Sequence, residues 1–210
     1  MTTLAMKNAS APRRDLKLAA LKTVVFLLAL VPLARASWIV YVGDAVNPVE
    51  FITRSTGTWA LSFLLITLCA TPLRRLSGWG WPLRLRRMLG LYAFFYGSLH
   101  LATYLWLDQM FDWGGIVHDI AKRPFVTVGF AAMLLMTPLA ITSTQGWMRR
   151  LKRHWGQLHK LVYLVALLGV LHYWWLVKRD LTQPAMFALA LALLLGMRLM
   201  HWRQNRRTPT

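Results

Sequence analysis

The chain has 210 residues, of which 57% are hydrophobic and only 15% are charged, and its formal net charge is +18. Soluble domains average about 45–50% apolar and about 25% charged residues, so this composition excludes a water-soluble enzyme. The basic residues stand between long apolar runs, whereas nucleic-acid-binding proteins expose them on a polar domain, so we expect a lipid bilayer and no nucleic acid as partner. The single cysteine, Cys69, excludes a disulfide framework and a cysteine-based metal site.

Six apolar blocks along the chain are long enough to cross a bilayer as helices. In chain order they lie at residues 18–42, 57–73, 88–107, 125–141, 158–177 and 184–200. The sequence therefore predicts an all-α integral membrane protein, a bundle of six transmembrane helices within residues 15–200, with tails at residues 1–14 and 201–210. The first block contains Ala34-Arg35-Ala36, which resembles a signal-peptide cleavage site, so the retention of residues 1–36 stays open.

Basic residues concentrate at one end of these predicted helices. The segments at this end hold 19 Lys and Arg residues and a single acid, Asp15, and they are residues 1–22, 74–87, 144–160 and 198–210. The remaining connecting segments hold six basic and six acidic residues. Because positively charged segments stay on the cytoplasmic side of a membrane, we expect both termini in the cytoplasm.

Three of the six histidines lie inside predicted spans, where ionisable residues are costly and are functional candidates. Each of the three ends a Gly-x-Leu-His pattern: Gly97 precedes His100, Gly156 precedes His159, and Gly169 precedes His172. A glycine three residues earlier lies on nearly the same helix face, so it leaves room for a flat macrocycle held by the histidine. The pattern therefore favours b-type haem.

Other roles for buried histidines are an interhelical hydrogen bond, a proton relay or a transition-metal transport site. Relays and transport sites usually add carboxylates within the membrane, and none of the seven acids here lies in the middle of a span. A carboxylate-coupled transporter is therefore disfavoured, and neutral imidazoles without carboxylates suit haem iron better.

The positions of the three histidines suggest electron movement across the membrane. His159 directly follows a basic segment, and His172 lies thirteen residues further on, a rise of about 20 Å in a helix. His100 lies deep in a block that runs in the same direction, so it can pair with His172 in one bis-histidine haem near the outer side. Thirteen residues turn an ideal helix by about 220°, so His159 and His172 share a face only if the helix is distorted, for which Gly169 is a candidate position.

Two segments resemble a known family. They run from Arg86-Arg87-Met88-Leu89-Gly90-Leu91-Tyr92 to His100, and from His159-Lys160-Leu161-Val162-Tyr163 to His172. They are similar to the MsrQ (formerly YedZ) family, the haem-binding membrane subunits of bacterial periplasmic methionine sulfoxide reductase systems. That family shares the ferric-reductase-like transmembrane domain, and the resemblance extends over about residues 15–200.

The resemblance implies an electron-transfer subunit in the bacterial inner membrane. Electrons would enter from the quinone pool or a cytosolic flavin reductase and leave to MsrP, a periplasmic molybdopterin-containing partner. That partner, rather than this chain, would reduce methionine sulfoxide in oxidised proteins. The resemblance also implies haem b and FMN, with His100 and His172 as the outer ligand pair and His159 as an inner ligand.

One position departs from the wider ferric-reductase pattern, which has two histidines fourteen residues apart on the third helix. Arg86 stands fourteen residues before His100, and arginine has no lone pair to offer iron. The inner haem is therefore absent, five-coordinate or held by another group. Arg86 and Arg87 can instead donate charge-assisted hydrogen bonds to a haem propionate or a flavin phosphate, or they only set the topology.

Two other functions stay open at the level of sequence. One is a stand-alone membrane ferric reductase that uses the same outer haem, and the other is a haem-free transporter whose histidines bind helices together. No residue pattern identifies an FMN contact.

Overall fold

The computed structural model describes residues 11–207, with side chains from residue 16 to residue 204. This part of the chain is helical and divides into two compact units, Met1–Val46 and Asn47–Thr210. Residues 1–10 of the predicted N-terminal tail and residues 208–210 of the C-terminal tail lie outside the described residues. The predicted domain limits at residues 14 and 200 fall inside helices, and they stay predictions.

The first unit is built on one long helix, α1, Ala11–Tyr41, which runs without a break through the sequence Ala34–Ala36. Residues Leu16–Tyr41 of α1 contain an 18-residue window with a mean hydropathy of 2.1, so this part of the helix is long and apolar enough to span a bilayer. The helix has Pro32 in its interior and is followed by a turn in which Gly43 has a φ of +80°.

The second unit contains the remaining described helices. They are α2 Pro48–Ser77, α3 Trp81–Thr103, α4 Trp113–Lys122, α5 Pro124–Ile141, α6 Gln145–Leu151, α7 Arg153–Leu158, α8 Leu161–Leu176 and α9 Thr182–Arg207. A π-helical turn, Tyr104–Asp108, prolongs α3. Proline favours the first helical position, which explains why α2 and α5 begin at Pro48 and Pro124. Gly78 ends α2 in the left-handed conformation that favours glycine, with φ +72°.

Five candidate membrane spans lie among the described residues: Leu16–Tyr41, Pro48–Ser77, Pro124–Ile141, Arg153–Leu176 and Thr182–Gln204. They confirm the prediction of an all-α, multi-pass membrane protein. The third apolar block lies in helix α3. The first turns of α3 carry three arginines and its centre carries polar side chains, so α3 is not among the five candidate spans. The count of six spans and the cytoplasmic position of the termini stay predictions.

Four helices of the second unit pack around a common centre. Helix α2 packs mainly on α3 and α5 mainly on α8, while α3 also contacts α5 and α2 also contacts α8. The centre is tightly packed because small residues such as Ala93 and Ala166, both fully buried, let the helices approach closely. Tyr96 is also buried and stacks on Phe63, with ring centroids 5.4 Å apart. Helices α3 and α8, which carry His100 and His172, are therefore each held against a partner helix.

Candidate functional site

His100 and His172 face each other across the centre of the four-helix arrangement. Their ring centroids are 5.9 Å apart and their planes are inclined by 80°. His100 lies near the end of α3 and His172 near the end of α8, and both side chains are partly buried. The structure thus brings together the two histidines that the sequence predicts to pair.

Both imidazoles are held by the same type of hydrogen bond. His100 Nδ1 lies 2.9 Å from the carbonyl oxygen of Thr53 in α2, and His172 Nδ1 lies 2.7 Å from the carbonyl oxygen of Phe125 in α5. A carbonyl oxygen only accepts hydrogen bonds, so each Nδ1 carries the proton and donates. Each Nε2 is then left with its lone pair, which is the tautomer that a metal-binding histidine requires.

A glycine in each partner helix lets the imidazole ring lie directly on the helix backbone. A Cβ atom on Gly57 of α2 would lie 3.0 Å from His100 Nδ1, and a Cβ atom on Gly129 of α5 would lie 2.8 Å from His172 Nδ1. Such distances are shorter than real Cβ contacts. The absence of a side chain at these two positions is therefore what allows the rings to reach the carbonyl groups.

These features repeat along the chain at an interval of 72 residues. Thr53, Gly57 and His100 correspond to Phe125, Gly129 and His172, and in both sets 47 residues separate the histidine from its carbonyl partner. The helix contacts repeat as well, because Gly97 and Leu61 correspond to Gly169 and Met133. A Cβ on Gly97 would meet Met133, and a Cβ on Gly169 would meet Leu61. The helix pairs α2–α3 and α5–α8 therefore place their histidines in equivalent ways.

The glycines of the Gly-x-Leu-His patterns lie in different surroundings. A Cβ on Gly97 would lie 3.1 Å from Met136 Cε, and one on Gly169 would lie 3.3 Å from Leu61 Cδ1, so both allow close packing of neighbouring helices. A Cβ on Gly156 would meet nothing within 4 Å. Room for a macrocycle beside these glycines stays a prediction.

His159 lies at a break in the chain rather than inside a continuous helix. Helix α7 ends at Leu158 and α8 begins at Leu161, and the Lys160 amide donates to the Gln157 carbonyl in a tight turn. The expectation of a distortion near Gly169 is wrong, because α8 is regular there. The helix is instead interrupted at residues 159–160, so the direction of the His159 side chain is not fixed by the helical periodicity that places His172.

The imidazole of His159 has a buried nitrogen without a hydrogen-bond partner. Its ring stacks on Trp155 with centroids 4.0 Å apart, and its Nδ1 bonds to the Trp155 carbonyl oxygen at 3.2 Å. Nε2 is buried and makes no hydrogen bond of normal geometry, although the Leu139 backbone is close enough to interact with the ring. Arg86 of α3 is half-buried and lies within electrostatic range of this ring, whereas Arg87 is exposed. Since buried polar atoms are normally paired, Nε2 of His159 fits a nitrogen that binds a ligand.

The donor set fits haem better than a bare metal ion. Within the described residues, no group of three or more His, Cys, Asp or Glu side chains is close enough to hold an ion. Two facing imidazoles would be enough to hold a haem, which brings its other iron ligands with it. Edge-to-face rings at this distance also occur as ordinary aromatic pairs. The two protonated Nδ1 atoms favour ligation, because they leave both Nε2 atoms available.

Comparisons with known proteins identify the family to which the chain is similar. Residues 56–170 match the family described as "Ferric reductase like transmembrane component", a range that includes His100 and His159. Three relatives carry the name "Protein-methionine-sulfoxide reductase heme-binding subunit MsrQ". The protein of Xanthomonas campestris pv. campestris (strain 8004) is 53% identical over 93% of both chains. That of Xanthomonas euvesicatoria pv. vesicatoria is 57% identical over 90% of both chains, and that of Herminiimonas arsenicoxydans is 50% identical over 91% of this chain and 89% of the relative.

The search for similar solved structures gives no match. The sequence relatives nevertheless cover about nine-tenths of the chain on both sides of each comparison. This coverage includes both histidine helices, the break at residues 159–160 and the partner helices α2 and α5. The chain therefore belongs to the MsrQ family of multi-pass membrane proteins, whose transmembrane part is of the ferric-reductase type.

Proposed function

We propose that the chain is a b-type cytochrome of the bacterial inner membrane that passes electrons to a periplasmic methionine sulfoxide reductase. The observation that carries the proposal is the facing pair of His100 and His172, each with Nδ1 donating to a backbone carbonyl. The electron acceptor would be the molybdopterin-containing enzyme MsrP. The name of the relatives, heme-binding subunits of a methionine sulfoxide reductase, supports this role.

The protein's own residues bind and orient the haem in this proposal. His100 and His172 hold it from α3 and α8, and the carbonyl groups of Thr53 and Phe125 fix both ring orientations and make the Nε2 atoms more basic. When bound, the haem supplies reversible one-electron chemistry that side chains lack. The chain then serves as an electron-transfer subunit, and the reduction of methionine sulfoxide belongs to the partner.

The charge distribution orients the chain in the membrane, and the proposed donor and acceptor on its two sides then give the direction of electron flow. The end of the helices that carries Arg86 and His159 is the basic end, which the positive-inside rule assigns to the cytoplasm. Electrons from the quinone pool or a cytosolic flavin reductase would enter here and move towards His100 and His172. The buried, unpaired Nε2 of His159 supports a second carrier near the basic end, as a second haem or as FMN. The residues that would contact FMN have no assignment.

A second candidate function is supported by the match to the ferric reductase family over residues 56–170. In that case the reduced protein would pass electrons to ferric iron instead of a protein. Stopped-flow reoxidation separates the two functions. Rapid reoxidation by ferric chelates supports a ferric reductase, whereas reoxidation only by purified MsrP supports the proposed function.

The haem ligands are tested by His100→Ala and His172→Ala in protein expressed with sufficient haem. We expect both variants to lose the low-spin haem signal in the reduced-minus-oxidised spectrum, with less haem per protein in the pyridine haemochrome assay. His118→Ala is the matched control, since His118 is exposed on α4. Low-spin haem retained in both variants would refute the ligand pair, and a colourless wild-type protein would favour the haem-free transporter.

A further inference from the structure

A cavity of about 240 Å³ lies between α2 and α9 at the basic end of the second unit. Its polar lining includes Arg75 from α2 and Arg198 and His201 from α9. Its apolar lining includes Leu76, Met197 and Met200. The cavity is separate from the facing pair of His100 and His172, and none of its lining residues has a role in the proposed electron transfer.

Positive charge from three helices collects beside this cavity. The guanidinium of Arg198 lies within electrostatic range of both Arg75 on α2 and Arg86 on α3. Its central carbon is 4.6 Å from the ring centroid of Tyr163, so the side chain is held over that ring rather than extended into solvent. Like charges close together repel, and a bound anion would relieve this repulsion.

The described side chains of the second unit offer no carboxylate at this place. Residues 51–107, 120–179 and 181–210 contain neither Asp nor Glu. Two ion pairs form between described side chains, Arg54 with Glu50 near the beginning of α2 and Arg123 with Asp119 at the end of α4. A bound anion would therefore offset the positive charge of Arg75, Arg86 and Arg198.

The basic residues could instead only set the topology of the membrane protein. That role needs no defined site, and exposed residues such as Arg74 and Arg203 serve it. Arg198 differs because it is half-buried, stacks on Tyr163 and lines a cavity. The arrangement is therefore that of a binding site and not of a solvated charge.

The apolar wall of the cavity indicates what kind of anion fits. Leu76 is 80% exposed and Met200 is 64% exposed, and both lie beside the arginines on α2 and α9, which are candidate membrane spans. A free inorganic anion would make no use of these side chains. A phospholipid would use both parts, since its phosphodiester pairs with guanidinium groups and its acyl chain covers exposed apolar side chains.

We propose that this cavity binds the phosphodiester headgroup of an anionic phospholipid between Arg75 and Arg198, with an acyl chain along Leu76 and Met200. Arginine suits this role because its planar guanidinium donates two parallel hydrogen bonds to phosphate oxygens. His201 lies at the same cavity and supplies a further donor. The bound lipid would neutralise the repulsion among the three arginines and join α2 to α9.

The test uses the full chain in a mild detergent, titrated with phosphatidylglycerol or phosphatidylcholine. Native mass spectrometry counts retained lipids, and thermal unfolding measures stabilisation. We expect phosphatidylglycerol to be retained and to raise the Tm more than phosphatidylcholine does. Loss of a charge-assisted pair should weaken phosphatidylglycerol binding about tenfold in Arg198→Gln and Arg75→Gln. Arg75 is exposed, so its variant should fold even if loss of the Tyr163 contact harms Arg198→Gln.

Matched controls carry the same charge change on the same helices outside the cavity. They are Arg74→Gln on α2 and Arg203→Gln on α9, both exposed, and we expect each to bind phosphatidylglycerol as wild type does. Equal weakening in variants and controls would show a general surface attraction and overturn the proposal. Equal binding of the two lipids by the wild type would overturn it too.

Two further probes distinguish the source of the phosphate. Inorganic phosphate or FMN is titrated in place of lipid, with the same variants. If either one raises the Tm through Arg75 and displaces phosphatidylglycerol at matched concentration, the cavity is a site for a soluble phosphate and the lipid proposal is wrong. If neither competes, the phospholipid assignment stands. Neither result depends on haem content, so the outcome is independent of the proposed function.

Discussion

Gly129 offers the sharpest test of the geometry around His172. A Cβ atom on this residue of α5 would lie 2.8 Å from His172 Nδ1 and 3.0 Å from Cε1. Non-bonded atoms in contact sit at about 3.5–4.0 Å, so Gly129→Ala should push the imidazole away by roughly 0.5–1 Å. The same displacement stretches the 2.7 Å hydrogen bond between Nδ1 and the Phe125 carbonyl.

Three effects of Gly129→Ala on the free energy of unfolding have different signs. Overpacking costs about 1–3 kcal/mol. Weakening of the Nδ1 hydrogen bond costs about 0.5–1.5 kcal/mol. Alanine stabilises a helix interior by about 0.5–1 kcal/mol over glycine. The net destabilisation is about 0.5–4 kcal/mol, which a folded protein can survive. Ligation of iron needs closer positioning, so haem binding should suffer more than folding does.

The assay combines a pyridine haemochrome measurement, a reduced-minus-oxidised spectrum and thermal unfolding of the same detergent-purified sample. We expect Gly129→Ala to lose most of its low-spin haem, and Gly57→Ala, where the Cβ would lie 3.0 Å from His100 Nδ1, to lose a smaller part. The control is Gly196→Ala in α9, where a Cβ meets nothing within 4 Å. Unchanged haem content and spectrum in Gly129→Ala would refute the argument that this glycine positions the ring.

Two other predictions concern stability, measured as the Tm in detergent. Trp155→Phe removes the 2.9 Å hydrogen bond from Nε1 to the Thr142 carbonyl but keeps an aromatic ring, so we expect a loss of about 1 kcal/mol; an unchanged Tm would contradict this. Asp119→Ala removes the acceptor of the Tyr104 hydroxyl and the ion-pair partner of Arg123, so it should cost about 1–3 kcal/mol. Asp119→Asn keeps an acceptor oxygen and should cost less, and equal melting of both variants would show that the Tyr104 bond contributes nothing.

The helices could be predicted from the sequence because long apolar runs dominate it, but their ends could not. Helix α2 begins at Pro48, nine residues before the predicted start at residue 57. The intervening residues 48–56 include several polar side chains. They are accommodated in the helix because Arg54 pairs with Glu50 and the Thr56 hydroxyl donates to the Ile52 carbonyl. Such residues lower the mean hydropathy and so shorten a predicted membrane helix, although ion pairs and hydrogen bonds within the helix satisfy them.

The pairing of His100 and His172 could be predicted from their depth along parallel helices, but the groups that hold them could not. Every residue carries a carbonyl group, so Thr53 and Phe125 give no signal through their side chains. Gly57 and Gly129 give one, because each precedes its histidine by the same number of residues. The prediction instead emphasised glycines within the histidine helices, whose Cβ positions face neighbouring helices. Side-chain patterns on one helix do not show which backbone lies opposite.

The 72-residue repeat explains why the two ends of the site differ. At one end of the site, each of the two repeated helix pairs, α2–α3 and α5–α8, supplies an imidazole. His100 and His172 therefore face each other in equivalent positions. At the basic end, the residue 72 positions before His159 is Arg87, which is exposed and has no lone pair for iron. The chain also breaks at residues 159–160 in the second half, whereas α3 is continuous in the first. Under the proposed function, the repeat would supply two imidazoles for one haem, whereas the basic end supplies only the imidazole of His159.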